Sequence, residues 1–429
     1  MGMMKWRFIR APSFWYHIGL VRNGRLIYSD RMARKKTSEK TRSEEYAGGF
    51  PPGMDAFEIL TDPRGGRAKR HYFGEILFIA LAAMVSGMDD FEDFERFAQE
   101  REDWLRQWLK LPHGTPSDDT FRRIFTALDP VAFGDCFIAY AAALSPRLGQ
   151  ELVAIDGKTL RGSFQNPDKS DALHVVSAWA TGSGLTLGQL LVDSKTNEIT
   201  VVPKLLRQID VKGCVVSLDA MGCQKKIAIA IRHAEAGYLL ALKGNHGTLH
   251  GEVRDLFADP AALQAAAATG QVVARASSHD KGHGRIEERH LTVTGHLGWM
   301  DKKERISWLD LRSLVHVRGV RHLADGTRSE ENRYWLTSLA PDAEQLLGLA
   351  RGHWGIENQC HWVMDVVYGE DASRARMGHA AQNLSLLRRL GHNLLRHDKT
   401  VKDSIAGKRK RACLSTGTLE IFLKLRDPK

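Results

Sequence analysis

The sequence is poor in cysteine, and its cysteines do not form close pairs. The 429 residues contain five of them, scattered as Cys136, Cys214, Cys223, Cys360 and Cys413. Because no C-x-x-C pair occurs, the spacing favours neither a structural zinc knuckle nor a framework of disulfides. A chain of this kind is typical of a reducing cytoplasm.

Long hydrophobic runs are also missing. The longest, "ILFIALAAMVSGM" at 76–88, is shorter than the roughly 20 residues that a membrane-spanning helix needs. The N-terminus carries lysine and arginine but no hydrophobic core followed by a small-residue cleavage site. We therefore expect a cytoplasmic protein without a signal peptide or a membrane partner.

A glycine-rich phosphate loop is absent as well, although "ELVAIDGKTLRG" at 151–162 contains a Gly-Lys-Thr triplet at 157–159. Such a loop has the pattern G-x-x-x-x-G-K-[ST], whose backbone amides cradle the phosphates. Here Leu152 takes the place of the first glycine, and Asp156 lies within the loop. The sequence therefore disfavours a nucleotide triphosphatase and predicts no nucleotide cofactor.

Positive charge is what the sequence does have. Lysine and arginine exceed aspartate and glutamate by 61 to 51, which gives a net charge of +10. This excess favours a polyanionic partner such as nucleic acid or an anionic membrane surface. Charge alone does not choose between these partners, because many proteins without any nucleic-acid role are equally basic.

The composition divides the chain into four segments. Residues 1–54 are polar and rich in glycine and proline, which predicts disorder or a mis-annotated extension with Met32 or Met54 as the true start. Residues 55–148 have a helical pattern, in which "GTPSDDTFRRIF" suits a DNA-binding helix-turn-helix and an ordinary bundle equally well. Residues 149–400 alternate strands and helices around a β-rich insertion at about 258–340, and residues 401–429 form a basic tail.

The third segment predicts a mixed α/β sheet. Three strands come first, "ELVAID", "ALHVVSAWAT" and "LTLGQLLVD", and the last two are joined by the hairpin signal "GSG". A helix, the strand "GCVVSLDAMG", a second helix and the strand "YLLALKGN" follow. This order is typical of a meander followed by right-handed crossovers.

Two of these strands end in matching acids. "LVAIDGK" and "CVVSLDAMG" place Asp156 and Asp219 after an apolar run and before a small residue. If the strands are neighbours, the two carboxylates lie together at the strand ends, where ligand sites concentrate. Adjacent carboxylates repel, so they share a proton or bind a hard divalent cation such as Mg²⁺. The alternative is that each aspartate caps the turn that follows it.

A predicted helix at 343–371 supplies a third acid, Glu357. At helical spacing this residue falls in a stripe with His353, His361 and Asp365. The stripe has three interpretations: a functional acid held by aromatic neighbours, a histidine–glutamate zinc site, or a packed amphipathic helix with polar pairs at its rim. The absence of H-E-x-x-H disfavours zinc.

Six motifs in order connect the chain to a known family. They are "AIDGKTLRGS", "SKTNEITVVPKLL", "SLDA", "LLALKGNHGTL", "HGRIEERH" and "RGHWGIEN". Together they resemble the bacterial insertion-sequence transposases of the H-repeat-associated group, which belong to the DDE class. The resemblance covers about 55–400, and it implies a ribonuclease-H-like catalytic core preceded by a helical N-terminal associated domain that binds DNA.

The resemblance also implies a mechanism. Asp156, Asp219 and Glu357 would be the catalytic triad and would hold two Mg²⁺ ions, for which Mn²⁺ can substitute. Water would attack a phosphodiester at the element end and release a 3′-OH, which the same site would join to target DNA. The implied partners are double-stranded DNA, at element ends and target, and a second copy of the chain when DNA is bound, within a bacterial nucleoid.

Seven basic residues are candidates for DNA contacts, with solvated surface or an internal ion pair as the alternative for each. They are Lys158, Lys243, His283, Arg285, Arg351, Arg374 and Arg376. Related DDE transposases often carry a tyrosine and a lysine around the glutamate, where this chain has Gly348 and Met364. Two further functions stay open: a DNA-binding regulator of the same fold that no longer cuts, and a Mg²⁺-dependent nuclease without strand joining.

Overall fold

A computed structural model of the protein describes residues 20–22, 25–27, 53–65, 69–145, 148–164, 171–192, 197–282 and 284–426. Within the first 42 residues, strands β1 (Leu20–Arg22) and β2 (Arg25–Ile27) pair antiparallel. Most of the predicted disordered extension lies outside the described residues, and so does His283.

The N-terminal part of the larger unit is helical. A 3₁₀ turn at Asp55–Phe57 precedes helices α1 (Phe73–Val85), α2 (Phe91–Glu100), α3 (Glu102–Leu105), α4 (Asp118–Ala127) and α5 (Pro130–Leu144). Local sequence sets their starts: Asp90 accepts a hydrogen bond from a backbone amide of α2, and Asp129 caps α5 just before a proline at its first position. On α4, Arg122 and Arg123 pair with the aspartates of the helix's own first turn.

Nine strands form one mixed sheet. They are β3 (Leu152–Thr159), β4 (His174–Ala180), β5 (Leu185–Val192), β6 (Val215–Leu218), β7 (Gly237–Leu242), β8 (Val273–Gly282), β9 (Arg285–Thr294), β10 (Ser313–Leu323) and β11 (Arg328–Thr337). Their order is β5-β4-β3-β6-β7-β11-β10-β9-β8. The pairs β3–β6 and β6–β7 are parallel, and all the others are antiparallel.

This order confirms the predicted fold class. The meander β3–β5 lies at one edge, and the two crossovers place β6 and β7 on the other side of β3, as in a ribonuclease-H-like sheet. The β-rich insertion continues the sheet beyond β7 by four strands. The sequence pattern did not identify one of them, β8, because most of its residues are polar.

Further helices lie after β5 along the chain. They are α6 (Glu198–Leu206), α7 (Lys225–His233), α8 (Gly247–Ala258), α9 (Pro260–Ala268), α10 (Lys302–Ser307), α11 (Ala343–Gly352), α12 (Trp362–Val366), α13 (Ala380–His397), α14 (Ile405–Leu414) and α15 (Thr416–Phe422). Alternate residues of a strand point to opposite faces. Val153 and Ile155 therefore pack with α6 and α7, while Leu152 packs with α11.

The predicted helix at 343–371 is not continuous. Helix α11 ends at Gly352, a π-helical turn spans Ile356–His361, and α12 ends at Val366. Gly369 then adopts a left-handed conformation with φ +58°, after which Glu370–Ala372 form a 3₁₀ turn. Two glycines before the π turn, at 352 and 355, weaken the helix there, and π turns are frequent at functional sites.

The N-terminal helices share their core with the end of the chain. Phe78 of α1, Leu390 of α13 and Phe422 of α15 belong to one buried hydrophobic cluster. Within the described chain no single helix is long and apolar enough to cross a membrane; α4 and α5 pass that test only as a pair, and they are bent by 94° relative to each other.

The shared core gives a stability prediction. Leu390 is 1% exposed, so Leu390→Ala should lower the free energy of unfolding by about 2–5 kcal/mol through lost burial and a new cavity. Leu414 is 83% exposed, and Leu414→Ala should change it by less than about 0.5 kcal/mol. Urea unfolding followed by circular dichroism measures both, and equal losses would contradict the shared core.

Candidate active site

The first two acids of the predicted triad lie beside each other because of strand register. β3 and β6 are parallel neighbours, and Ile155 of β3 is opposite Leu218 of β6. Asp156 and Asp219 are the residues that follow this last parallel pair. Only Asp219 lies after the end of its strand, because β3 continues past Asp156 to Thr159 in its pairing with β4, contrary to the prediction that the strand ends at this acid. The two acids lie side by side where the parallel pairing ends, at an edge where α/β proteins form their ligand sites.

The environment of Asp156 disfavours its charged form. Burial raises the pKa of its carboxyl group to about 7, with further contributions from the charges of Asp219, Glu198 and Glu357, although the Gly157 amide opposes the shift. A carboxyl group with this pKa is poised between its two protonation states near neutral pH. A cation bound next to it would favour the charged form.

Asp219 also caps the turn that follows it. Its Oδ1 accepts hydrogen bonds from the backbone amides of Met221, at 3.0 Å, and Gly222, at 3.1 Å. Both bonds use one oxygen, so capping does not exclude a second role for Asp219.

The residues of the predicted stripe around Glu357 do not share one site but have different surroundings and partners. Glu357 is exposed on the π turn, whereas His353 is buried and lies 2.9 Å from Ser217 Oγ through its Nδ1. His361 Nδ1 lies 3.4 Å from Asp156 Oδ2. Burial lowers the pKa of both histidines, to about 4 for His353 and about 3 for His361, so both are neutral at pH 7.

The residues of the stripe therefore do not form the zinc site that was one of its three interpretations. Among the residues that the structure describes, no three histidine, cysteine, aspartate or glutamate side chains converge closely enough to hold a metal ion. The predicted triad is included in this statement. The charges of Asp219 and Glu357 nevertheless both act on Asp156, and three carboxylates match the oxygen ligands of a hard divalent cation.

Lys158 has the internal ion pairs that were the alternative to a DNA contact. Its side chain is 8% exposed, and its Nζ lies 2.6 Å from Asp365, 3.1 Å from Asp371 and 3.3 Å from Glu370. Burial opposes the charge, but these carboxylates outweigh it and raise the pKa of the Lys158 amine. The lysine therefore joins β3 to α12 and to the 3₁₀ turn beyond it.

A second buried cation completes this cluster. Arg389 of α13 lies 2.6 Å from Glu370, and both side chains are at most 1% exposed. Ser385 also donates to Glu370, at 2.9 Å. Burial raises the pKa of the Glu370 carboxyl group, but the charges of Arg389 and Lys158 outweigh it and lower the pKa to about 2.

The other residues predicted to contact DNA differ in whether their side chains already have a partner within the protein. Arg285 lies 2.7 Å from Glu287, and Arg351 lies 2.9 Å from Asp280. Arg376 donates to the Gly162 carbonyl at 3.0 Å and stacks on Phe164. Lys243 and Arg374 are exposed and form no ion pair within the described ranges.

A groove adjoins the candidate site. A cavity of about 910 Å³ lies between α11 and the strands of the insertion. Arg285 and Arg351 line it, together with Trp354, whose ring carries the Arg333 guanidinium at 4.1 Å.

Sequence reasoning missed three participants: Glu198, Glu370 and Arg389. Glu198 stands in the motif "SKTNEITVVPKLL", so its acid could have been noted at the start of a helix. Glu370 carries no local signal for its contact with Lys158, which is more than two hundred residues away in sequence. Arg389 pairs with Glu370 from a different helix, 19 residues further on.

Comparison with known proteins decides the family. The sequence matches the family model described as Transposase DDE domain over residues 147–394. The preceding residues 54–141 match a second model, described as DDE_Tnp_1-associated. The chain belongs to the DDE transposase family.

Full-length relatives agree with this assignment. The transposase is 35% identical to "Putative transposase YncI" of Escherichia coli O157:H7, over 86% of this chain and 94% of that protein. It is 32% identical to "H repeat-associated putative transposase YhhI" of Escherichia coli strain K12, over 86% of this chain and 97% of that protein. The resemblance to the H-repeat-associated group is thereby confirmed.

A solved structure is more distantly similar. The cryo-EM structure of the piggyBac transposase synaptic complex with hairpin DNA is 10% identical, with a TM-score of 0.37 over 87% of this transposase and 77% of that chain. The fold assignment rests instead on the strand order described above.

The buried cluster predicts a pH-dependent stability. Glu370→Gln should lower the free energy of unfolding of the transposase by about 3–5 kcal/mol at pH 7, because Lys158 and Arg389 lose a buried counter-charge. The pKa of Glu370 is lowered from 4.5 to about 2 by folding. Its contribution is therefore complete above the unfolded pKa and is lost as the pH falls through the folded one.

The difference in the free energy of unfolding between wild type and Glu370→Gln should therefore stay constant above about pH 5. It should shrink by about 3 kcal/mol as the pH falls towards 2. Denaturant unfolding across this pH range measures it. The exposed Glu344 of α11 supplies the control, since Glu344→Gln should show no such trend, and a difference that is independent of pH would refute the ion pairing.

Proposed function

We propose that this transposase cuts DNA at the ends of an insertion sequence and joins the resulting 3′-OH to target DNA. Asp156, Asp219 and Glu357 form the catalytic set. The observation that carries the proposal is the parallel register of β3 and β6, which brings Asp156 beside Asp219, together with the effect of the Glu357 charge on the same carboxyl group.

The three carboxylates suit divalent metal ions, and Mg²⁺ is the cation we propose. Two such ions, when bound, activate the attacking oxygen and stabilise the leaving one in phosphodiester displacement, with Mn²⁺ as a substitute. Asp156 would give up its proton as a ligand. His361, neutral beside Asp156, would hold that carboxylate in place without adding a competing charge.

DNA would approach the edge of the sheet that carries these acids. Lys243 follows the carboxyl end of β7, which runs parallel to β6, so it lies at the same edge as Asp219. Arg374 follows the 3₁₀ turn at 370–372, and Arg285 and Arg351 line the neighbouring groove. We propose these four as phosphate contacts, with a dimer as the DNA-bound form because two element ends must be held together.

Substitution of any one of the three proposed catalytic acids should remove DNA cleavage and joining without removing DNA binding. Asp156→Asn, Asp219→Asn and Glu357→Gln should each abolish nicking and strand joining on element-end DNA with Mg²⁺ or Mn²⁺, because a site with one carboxylate fewer no longer holds the metal ions. DNA binding, measured by gel shift, should persist.

Glu344→Gln is the matched control, and it should keep both activities. Wild-type cleavage by Asp219→Asn would overturn the site. Binding without any cleavage by the intact protein would favour a regulator, and cleavage without joining would favour a nuclease.

The proposed phosphate contacts predict how the salt dependence of DNA binding should change on substitution. Lys243→Ala and Arg374→Ala should each weaken DNA binding and reduce the slope of log K against log salt by about 1, because one phosphate contact is lost. Arg207 is exposed at the far end of α6, so Arg207→Ala should leave the slope unchanged. Equal slopes in all three variants would show that this edge of the sheet does not bind DNA.

A further inference from the structure

The segment that carries Glu357 is bonded to the sheet on both sides of that residue. On the N-terminal side, His353 Nδ1 lies 2.9 Å from Ser217 Oγ of β6, and both side chains are buried. On the C-terminal side, the Asp365 carboxylate accepts a hydrogen bond from Lys158 Nζ of β3 at 2.6 Å. The two strands bonded in this way are the ones that lead to the proposed catalytic aspartates.

Both contacts lie on the face of the sheet that carries the Asp156 carboxylate. Lys158 is two residues after Asp156 in β3, and alternate residues of a strand share a face. Ser217 is opposite Ala154 in the parallel pairing of β3 with β6. Since Ala154 is two residues before Asp156, Ser217 belongs to the same face. Leu152, the next residue of this series, packs with α11, so the segment from α11 to α12 lies on this side of the sheet.

The spacing of the contacts sets how the segment runs along β3. His361 lies 3.4 Å from Asp156, and Asp365 lies 2.6 Å from Lys158. His361 and Asp365 are four residues apart on a helix, which is about 6 Å of rise. Asp156 and Lys158 are two residues apart on a strand, which is about 6.6 Å. Because the two distances match, the segment follows β3 in the same direction, and the two contacts fix its register along the strand.

The local helix geometry does not by itself fix the position of Glu357. Glycines at 352 and 355 are poor helix formers, and the π turn Ile356–His361, which contains Glu357, interrupts the regular α-helical pattern. Among the residues that the structure describes, the Glu357 side chain forms no hydrogen bond or ion pair. The position of its carboxylate therefore depends on the contacts at the two ends of the segment.

We propose that Asp365 and His353 are positioning residues for the reaction of this transposase. Asp365, bonded to Lys158, and His353, bonded to Ser217, hold Glu357 beside the aspartates of β3 and β6. The proposal rests on the function proposed above and extends it to residues that act only through Glu357.

The test at the Asp365 contact is the rate of nicking of element-end DNA at saturating DNA concentration. Asp365→Ala should lower this rate about 10- to 100-fold, because a displacement of about 1 Å in a site costs up to that much. The dissociation constant for DNA, measured by gel shift, should stay within about twofold, because no phosphate contact is lost. Asp365→Asn keeps an oxygen that accepts from Lys158, and it should retain about half of the wild-type rate or more. In both variants Lys158 keeps Glu370 and Asp371 as partners.

The test at the His353 contact is a matched pair of variants at Ser217. Ser217→Ala removes the hydroxyl and should lower the nicking rate about tenfold. Ser217→Thr keeps the hydroxyl, and it should recover about half of the wild-type rate or more. Leu390→Ala is the control for lost stability: it removes core packing without removing either contact, and it should nick at the wild-type rate at a temperature where every variant is folded.

Hydrogen exchange followed by mass spectrometry reports on the segment without DNA or metal. Amides of residues 356–366 should exchange about tenfold faster in Asp365→Ala and Ser217→Ala than in wild type, while those of β6 keep their protection. Wild-type nicking rates in both variants would overturn the proposal, and so would equal rates in Asp365→Ala and Asp365→Asn.

The two proposals fail in different ways. An intact protein that binds DNA without nicking it would overturn the proposed function, and hydrogen exchange alone would then decide the positioning role. Unchanged exchange of residues 356–366 in Asp365→Ala and Ser217→Ala would overturn that role. If Asp365→Ala does not fold, the two Ser217 variants decide in its place.

Discussion

One buried carboxylate joins strand β3 and helix α13 to the segment between α12 and α13. Glu370 is 3% exposed and contacts Lys158 of β3 and Arg389 of α13. A charge so deeply buried is tolerated only with such partners, because desolvation costs several kcal/mol per ion. The strand that leads to Asp156 and the helical segment that carries Glu357 are therefore held against each other by charges outside the predicted triad.

Two carboxyl groups in this region have opposite environments. Cations hold the pKa of Glu370 at about 2, whereas burial and neighbouring carboxylates raise the pKa of Asp156 to about 7. The first arrangement stabilises the folded chain. The second disfavours the ionised form of Asp156, and strongly shifted carboxyl groups of this kind are typical of functional sites. Paired charges thus stabilise the fold, whereas the like charges around Asp156 suit the cation proposed above.

The sequence predicted those parts of the site whose signal is local. An apolar run that ends in an acid is readable from a few residues, and the alternation of strands and helices makes the strands of Asp156 and Asp219 neighbours. For Lys158 the sequence left a DNA contact and an internal ion pair both open, because nothing near it in sequence indicates three carboxylate partners from beyond residue 360. The π turn escaped detection for a related reason: the stripe around Glu357 fits a regular helix as well, and packing on the sheet decides between them.

The proposed DNA contacts are not equivalent in energy. Lys243 and Arg374 form no ion pair in the part of the chain that the structure describes, so a phosphate would add a full interaction. Arg285 and Arg351 already pair with acids, and each gains from a phosphate only the difference between two ion pairs. The acids of the groove would therefore penalise DNA whose phosphates are out of place. Met364 is buried in the helical core, so this position presents no side chain to DNA, and discrimination at the groove would fall to the paired arginines.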